Sequence, residues 1–342
     1  MGRIYNSSLN FAKYMIKVLI TRKIPQRGIQ LLEEAGYKLT IYTEKRSLPQ
    51  KELIELCKRN DALLSAGSNK LNAHFFEECS HLQAVALMSV GYDHVDVEAA
   101  TSYKIPVSNT PEVLSNATSD VAFLLMLAVS RNAFQMHKKI ERGGWSFFEP
   151  TANLGIELKG RTLGVFGLGR IGVDLAKKAK AAYEMNVIYH NRNRNTEAEE
   201  ILDAKYVSFD QLLAESDVLS VHANLSNETK NLFNKSAFEK MKRSALFINT
   251  ARGGLHNEPD LINAIQNKTI WGAGLDVTNP EPMDKDNPLL NLPNVCVLPH
   301  IGSATEETRD KMAVMAAENL IAALSNKVMP QIINHEVYNS NH

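Results

Sequence analysis

The sequence has 342 residues, enough for roughly two domains of ordinary size. Its 44% hydrophobic and 22% charged content describe a globular chain rather than a disordered or fibrous one. Lys plus Arg and Asp plus Glu both number 38, so the formal net charge is zero, which argues against a nucleic-acid or membrane-surface binder.

The opening MGRIYNSSLNFAKYMIKVLI is broken by Lys13 and Lys17 and lacks a small-residue cleavage site, so it is not expected to act as a signal peptide. Gly2 hints at myristoylation, but Asn6 stands where a Ser or Thr is required. Residues 1–14 are expected to form a loose extension, with Met15 an alternative start. No run of about 18 apolar residues occurs, so no membrane span is expected. Cys57, Cys79 and Cys296 are widely spaced and form no CxxC pair. They predict reduced, buried thiols, no zinc cluster and a cytoplasmic location.

Along the chain, short β-branched runs alternate with amphipathic ones. KVLITRKI (17–24), KLTIYTE (38–44), ALLSAG (62–67), AVALMSV (84–90) and IPVSNT (105–110) read as strands, with helices near 26–36, 49–59 and 71–79. Such alternation implies right-handed crossovers and a parallel sheet. A helix is expected from Ser115 to about Arg142, with Val121, Leu124, Leu125, Leu127, Ala128 and Phe134 on its buried face. RGGWSFFEPTANLG then interrupts the pattern with glycine, proline and aromatics. A second alternating series follows in TLGVFGLG, NVIYHN, DVLSVHA, ALFINTA, GAGLDV and VCVLPH. A last long helix occupies 304–325, and periodicity alone does not say which sheet it covers.

Gly167-Leu168-Gly169-Arg170-Ile171-Gly172 is a GxGxxG run between a strand pattern and a helix pattern. The first glycine permits a tight turn, the second lets a pyrophosphate approach the backbone, and the third lets the helix pack on its strand. A phosphate there would meet unpaired N–H groups and the positive helix end. These six residues are therefore candidate dinucleotide contacts. An acid that grips the ribose 2′-OH is expected about 20 residues further on, yet VIYHNRNRN (187–195) contains none. Arg192 or Arg194 could clasp a 2′-phosphate bidentately, which points to NADP(H) as the preferred cofactor. Asn191 could serve a plain ribose, so NAD(H) use stays open, as does a bland role for both arginines as solvated loop residues.

Three more residues stand out: Arg252 in INTARGG, just after a strand pattern, Glu281 in the proline-rich loop NPEP, and His300 in LPHIGSAT, after the last strand pattern. Strand ends in an open α/β sheet face the ligand crevice, so the three can converge. Together they are what reduction of a 2-keto acid requires. The arginine binds the carboxylate and polarises the carbonyl. The histidine delivers the alcohol proton, and a carboxylate partner favours its imidazolium form. Taken singly, each is as readily a surface ion-pair member or a structural histidine.

With SVGYDHVD, GLGRIG, INTARGG, AGLDVTNPEP and LPHIGSAT in that order, the chain resembles the D-2-hydroxyacid dehydrogenase family, nearest its glyoxylate/hydroxypyruvate reductases. Arg252 and Glu281 keep the family's spacing of 29 positions. The resemblance implies an α/β fold of two doubly wound parallel-sheet domains. A flavodoxin-like substrate domain (1–114 and 304–342) would hold an inserted Rossmann domain (115–303). It implies substrate contacts from the backbone of Val90 and Gly91 and from Ser303, and cofactor contacts from Thr118, Thr250 and Asp276. It also implies a homodimer, with the segment around 115–148 at the contact and an aromatic of the partner, here Phe148, over a small 2-keto or 2-hydroxy acid. His222-Ala-Asn-Leu225 departs from the family's His-x-Pro-Leu, and Phe148 replaces a tryptophan, which puts a strict hydroxypyruvate preference in doubt. Glu281, where formate dehydrogenases carry glutamine, argues against that branch. A 2-ketogluconate reductase would share every motif, and a dinucleotide-sensing corepressor scaffold would keep the same three residues.

Overall fold

The computed structural model describes residues 15–339; the extension expected over residues 1–14 lies outside them. The chain forms two compact units, one ending at Pro111 and resuming at Arg309, the other running Glu112–Thr308. The boundaries anticipated were 114/115 and 303/304.

The first unit holds strands β1 (Lys17–Ile20), β2 (Lys38–Ile41), β3 (Ala62–Ser65), β4 (Ala84–Leu87) and β5 (Val107–Ser108). They pair in parallel in the order β2-β1-β3-β4-β5, the flavodoxin-like arrangement. Every residue of β3 and β4 is buried, as expected of a parallel sheet covered on both faces. One core gathers Leu19, Leu53, Leu63, Phe75, Phe76 and Val85. The last long helix, Glu306–Leu324, brings Ala313 so close to Gly28 that a Cβ on Gly28 would stand 2.8 Å from the Ala313 carbonyl oxygen. Beyond it, the Asn334 carboxamide accepts the Val107 N–H at 2.8 Å and donates to the Ile105 carbonyl at 2.9 Å. The C-terminal segment thus closes the first sheet, a point the periodicity left open.

All three cysteines are buried and free. Cys57 and Cys79, distant in sequence, are neighbours here: a thiol–thiol hydrogen bond, reinforced by burial, pushes Cys57 up, and the same bond holds Cys79 down.

The second unit holds β6 (Thr162–Phe166), β7 (Asn186–His190), β8 (Lys205–Tyr206), β9 (Val218–Val221), β10 (Leu246–Asn249), β11 (Gly272–Leu275) and β12 (Val295–Val297). Their order is β12-β11-β10-β9-β6-β7-β8, again all parallel. The strand order reverses at β6, where a doubly wound sheet opens its ligand crevice. Successive residues serve opposite cores: Leu246 and Ile248 join one, Phe247 joins Phe233 and Phe238 in the other.

The single helix expected from Ser115 to Arg142 is two, Ser115–Ser130 and Ala133–Glu141. Asn132 between them adopts φ +52°, a left-handed conformation that asparagine tolerates and a helix interior does not. The first of the pair packs on the helix Arg170–Tyr183 and on β10 and β11. Gly274 of β11 makes that approach possible, since a Cβ there would sit 2.8 Å from the Cβ of Leu125. No described helix is long and apolar enough to cross a membrane, and no metal-binding cluster of His, Cys, Asp or Glu occurs among the described residues.

Gly274→Ala is expected to overpack this seam and cost about 1–3 kcal/mol. The check is a lowered urea midpoint with unchanged slope; an unaltered midpoint would show that the seam has slack.

Candidate active site

The glycine turn leaves the end of β6. Gly167 has φ +95°, and a Cβ on it would lie 2.6 Å from the backbone nitrogen of Ala223, so only glycine fits. A Cβ on Gly172 would press at 2.9 Å on both the Gly167 carbonyl oxygen and Val165, which is the close helix–strand packing expected of the third glycine. A Cβ on Gly169 would meet nothing within 4 Å, so the backbone there faces open space at the start of the helix Arg170–Tyr183. This is a cradle that a pyrophosphate fits. Arg170 pairs with Glu112 at 2.7 Å, both exposed, and Ile171 is half-buried.

Leu168, fully buried, is gripped from the end of β7. Its N–H donates to Asn191 Oδ1 at 2.6 Å, and its carbonyl accepts from Asn195 Nδ2 at 2.9 Å and Asn191 Nδ2 at 3.3 Å. The Asn191 carboxamide therefore acts on the turn with both its ends. Asn195, which the sequence did not single out, shares that task while its Oδ1 caps the helix Thr196–Leu202. The two arginines differ. Arg194 meets Glu199 through Nε at 3.0 Å and Nη2 at 2.5 Å, and lies over the Tyr206 ring. Tyr189 also donates its hydroxyl to Glu199. The Arg194 and Tyr189 bonds hold that carboxyl below its usual range despite burial. Arg192 is exposed at the tip of the loop.

Arg252, Glu281 and His300 follow β10, β11 and β12, three adjacent parallel strands whose carboxyl ends share one edge. His300 Nδ1 stands 2.5 Å from Glu281 Oε1, with the two side chains 42% and 39% exposed. His300 has φ +53°, a conformation uncommon for a residue other than glycine and retained where surrounding bonds dictate it. Burial pushes the Glu281 carboxyl up, but the His300 hydrogen bond and charge, the Thr278 N–H and the Arg252 charge together outweigh it and leave the group below its usual range. Arg252 therefore acts electrostatically on Glu281. Its Nη1 donates to the Ala251 carbonyl at 2.8 Å. The glycine after it is obligatory, because a Cβ on Gly253 would fall 2.0 Å from the Thr278 carbonyl oxygen.

Asp276, at the end of β11, is 1% exposed. Its two carboxylate oxygens accept the N–H groups of Ile301 and Gly302, each at 2.7 Å, and its carbonyl accepts the His300 N–H at 2.9 Å. Burial raises its pKa while those N–H bonds oppose the rise. Thr118 Oγ1 donates to the Gly302 carbonyl at 3.1 Å, so the helix Ser115–Ser130 reaches the same turn. The Ser303 carbonyl accepts the Thr305 N–H at 2.9 Å. Thr250 is buried, with its hydroxyl 3.4 Å from His222 Nδ1, and His222 Nε2 meets Ser220 at 2.9 Å. Burial lowers the His222 pKa to about 4, which keeps that imidazole neutral. A cavity of about 380 Å³ opens beside the histidine–glutamate pair, lined in part by Asp276, Thr278, Met283 and Leu298.

Other expected residues stand on other elements. Phe148 is 83% exposed, with Trp145 and Phe147 similarly uncovered, so Phe148 serves no pocket of its own unit. Val90 and Gly91 follow β4 in the first unit, their carbonyls held by Asn109 Nδ2 at 2.8 Å and Ser89 Oγ at 2.9 Å.

A family model described as D-isomer specific 2-hydroxyacid dehydrogenase, NAD binding domain, matches residues 123–302. The glyoxylate reductase of Thermococcus litoralis is 41% identical over 328 residues, which span 95% of this chain and 98% of that protein. Among solved structures, the TT0316 protein of Thermus thermophilus superposes with a TM-score of 0.87 at 38% identity, covering 93% of this chain and 100% of that one. An NADPH-dependent glyoxylate/hydroxypyruvate reductase of Sinorhizobium meliloti, in complex with NADP and malonate, superposes with a TM-score of 0.80 at 30% identity, covering 93% and 96%.

Asp276→Ala leaves the N–H groups of Ile301 and Gly302 without their acceptor, at a cost of about 1–3 kcal/mol for each that stays buried and unpaired. Chemical denaturation is expected to show this loss, whereas Asp276→Asn, which keeps one acceptor oxygen, is expected to lose less. Equal stability of all three proteins would remove the turn-holding role.

Proposed function

Because the chain belongs to the D-2-hydroxyacid dehydrogenase family and is an NAD(P)-dependent enzyme of it, we propose that it reduces glyoxylate and hydroxypyruvate to their 2-hydroxy acids, with NADPH preferred and NADH usable. The observation that carries this reading is the 2.5 Å pairing of His300 Nδ1 with Glu281 within the electrostatic reach of Arg252. The names of the reductases from T. litoralis and S. meliloti support the choice of acid, and the latter's NADP complex supports the choice of cofactor.

In this reading the Arg252 guanidinium takes the substrate carboxylate and polarises the adjacent carbonyl through charge-assisted hydrogen bonds. A dihydronicotinamide held by the second unit would supply the hydride that the carbonyl carbon accepts. His300 donates a proton from Nε2 to the forming alkoxide while Nδ1–H stays bonded to Glu281, which stabilises the imidazolium before transfer and fixes the ring's orientation. The spent imidazole regains its proton from solvent, to which it is partly open. The glycine turn with Leu168, Gly169, Arg170 and Ile171 would hold the pyrophosphate, and Thr118, Thr250 and Asp276 the nicotinamide half. Arg192 takes the 2′-phosphate in this scheme, because Arg194 is engaged by Glu199. The substrate roles of Val90, Gly91 and Ser303 rest on the family resemblance. So does the homodimer, which the uncovered Trp145, Phe147 and Phe148 support; the cytoplasmic location rests on the three free thiols, which suit a reducing compartment.

Steady-state rates with glyoxylate, hydroxypyruvate and 2-ketogluconate test the proposal. His300→Ala is expected to lower kcat by about 10²–10⁴-fold, the usual worth of a general acid. Loss of turnover across the whole panel in the unaltered protein would sink the activity. For the cofactor, kcat/KM is expected to favour NADPH over NADH by at least ~tenfold, about 1.4 kcal/mol. Arg192→Ala should erase most of that lead; a lead that survives it, or parity in the unaltered protein, would overturn the 2′-phosphate assignment.

A further inference from the structure

His256 is completely buried and directly follows the short turn Gly253–Leu255, which Arg252 precedes. A buried imidazole is expected to have hydrogen-bond partners for both nitrogens. Here Nδ1 lies 3.1 Å from Asn249 Nδ2, and Nε2 has no partner among the described residues. The orientation of the Asn249 carboxamide is fixed by its neighbours. The Ala251 N–H can only donate, and it meets Asn249 Oδ1 at 3.0 Å, so the other end of the carboxamide is the NH₂. One hydrogen of that NH₂ goes to the Arg252 carbonyl at 2.9 Å and the second goes to His256. Nδ1 is therefore an acceptor and the ring carries its proton on Nε2. Burial pushes the His256 pKa down to about 4, in keeping with a neutral ring. The ring also stands edge-on to Phe247, 5.8 Å between centroids. An apolar side chain could occupy such a place without stranding a buried N–H, so filling space does not account for the imidazole. Its bond to Asn249 does.

We propose that His256 is a positioning residue for Arg252: it holds the Asn249 carboxamide, which in turn holds the backbone of Ala251 and Arg252 and so sets the direction in which the guanidinium leaves the turn. This rests on the reading of Arg252 as the group that binds the substrate carboxylate. These side-chain bonds end on the backbone of Ala251 and Arg252, and none of them reaches the glycine cradle or His300, so their loss is expected to bear on the keto acid more than on the dinucleotide.

Two variants separate positioning from simple packing. His256→Leu keeps the bulk and removes the acceptor; His256→Asn returns an acceptor oxygen near the place of Nδ1. Measured in the intact protein with NADPH, His256→Leu is expected to raise the glyoxylate KM and the Kd of oxalate, a non-reacting carboxylate mimic followed by calorimetry, each about tenfold. The NADPH KM should stay within about twofold, and His256→Asn should recover most of the loss. If His256→Leu fails to fold, His256→Met serves in its place. In an Arg252→Ala background, where kcat/KM for glyoxylate is expected to have fallen at least ~100-fold, adding His256→Leu should cost less than about twofold more, as for residues acting through one another. An unchanged glyoxylate KM in His256→Leu, no recovery in His256→Asn, or additive losses in the double variant would overturn the proposal. Full activity in Arg252→Ala alone would sink the reading of Arg252 instead, and the positioning role with it.

Discussion

Two N–H groups in the turn after the last strand of the second sheet, those of Ile301 and Gly302, bond to a single buried carboxylate, Asp276, on the strand beside it. That tie holds the backbone immediately after His300, whose own N–H is fixed to the Asp276 carbonyl. With both anchored, His300 keeps a left-handed φ that the isolated chain would seldom adopt. Its imidazole then meets Glu281, which comes from the same loop that Asp276 begins. Asp276 therefore acts on the His300–Glu281 pair by holding the backbone that carries His300.

The arrangement works because the sheet is parallel. Strands β10, β11 and β12 all finish on one edge, so residues spread from Arg252 to His300 in sequence are delivered together by the ladder. The glycine turn leaves the same edge after β6, at the point where the strand order reverses. Charge follows the same economy. The chain is neutral as a whole, yet this edge holds an arginine acting on a glutamate, a glutamate bonded to a histidine, and an aspartate that accepts two backbone N–H groups. Each group is stabilised by its neighbour, so the site needs no large net field.

Much of this was legible in the residues alone. The alternation of strand and helix patterns gave two parallel sheets, and GLGRIG gave the tight turn after β6, because glycine is required at Gly167 and Gly172 for reasons of space. Arg252 and His300 stood out because each follows a recognisable strand, and Glu281 because it lies in a proline-rich loop; the structure sets Glu281 beside His300. What escaped the sequence depends on partners distant along the chain. Asn132 looks like an ordinary helical residue until its backbone turns left-handed and divides one expected helix into two. Asn191 reads as a ribose ligand, with nothing to announce that its carboxamide also clasps Leu168, and Arg194 reads as a phosphate ligand, with nothing to announce its pairing with Glu199. Cys57 and Cys79 lie one helix and one strand apart, and nothing in their spacing announces that their thiols meet. Local pattern reveals backbone geometry; it does not reveal which side chains find each other.

The helix Ser115–Ser130 touches the site's framework twice. Near its start Thr118 bonds to the Gly302 carbonyl, and two turns later Leu125 rests where Gly274 leaves the sheet bare. It is thus a splint laid across the strand that carries Asp276 and the turn that carries His300. A change on its apolar side, remote from any reacting atom, would tilt both supports at once, which makes this helix a place from which the reactivity of the histidine can be retuned without altering the histidine or its glutamate.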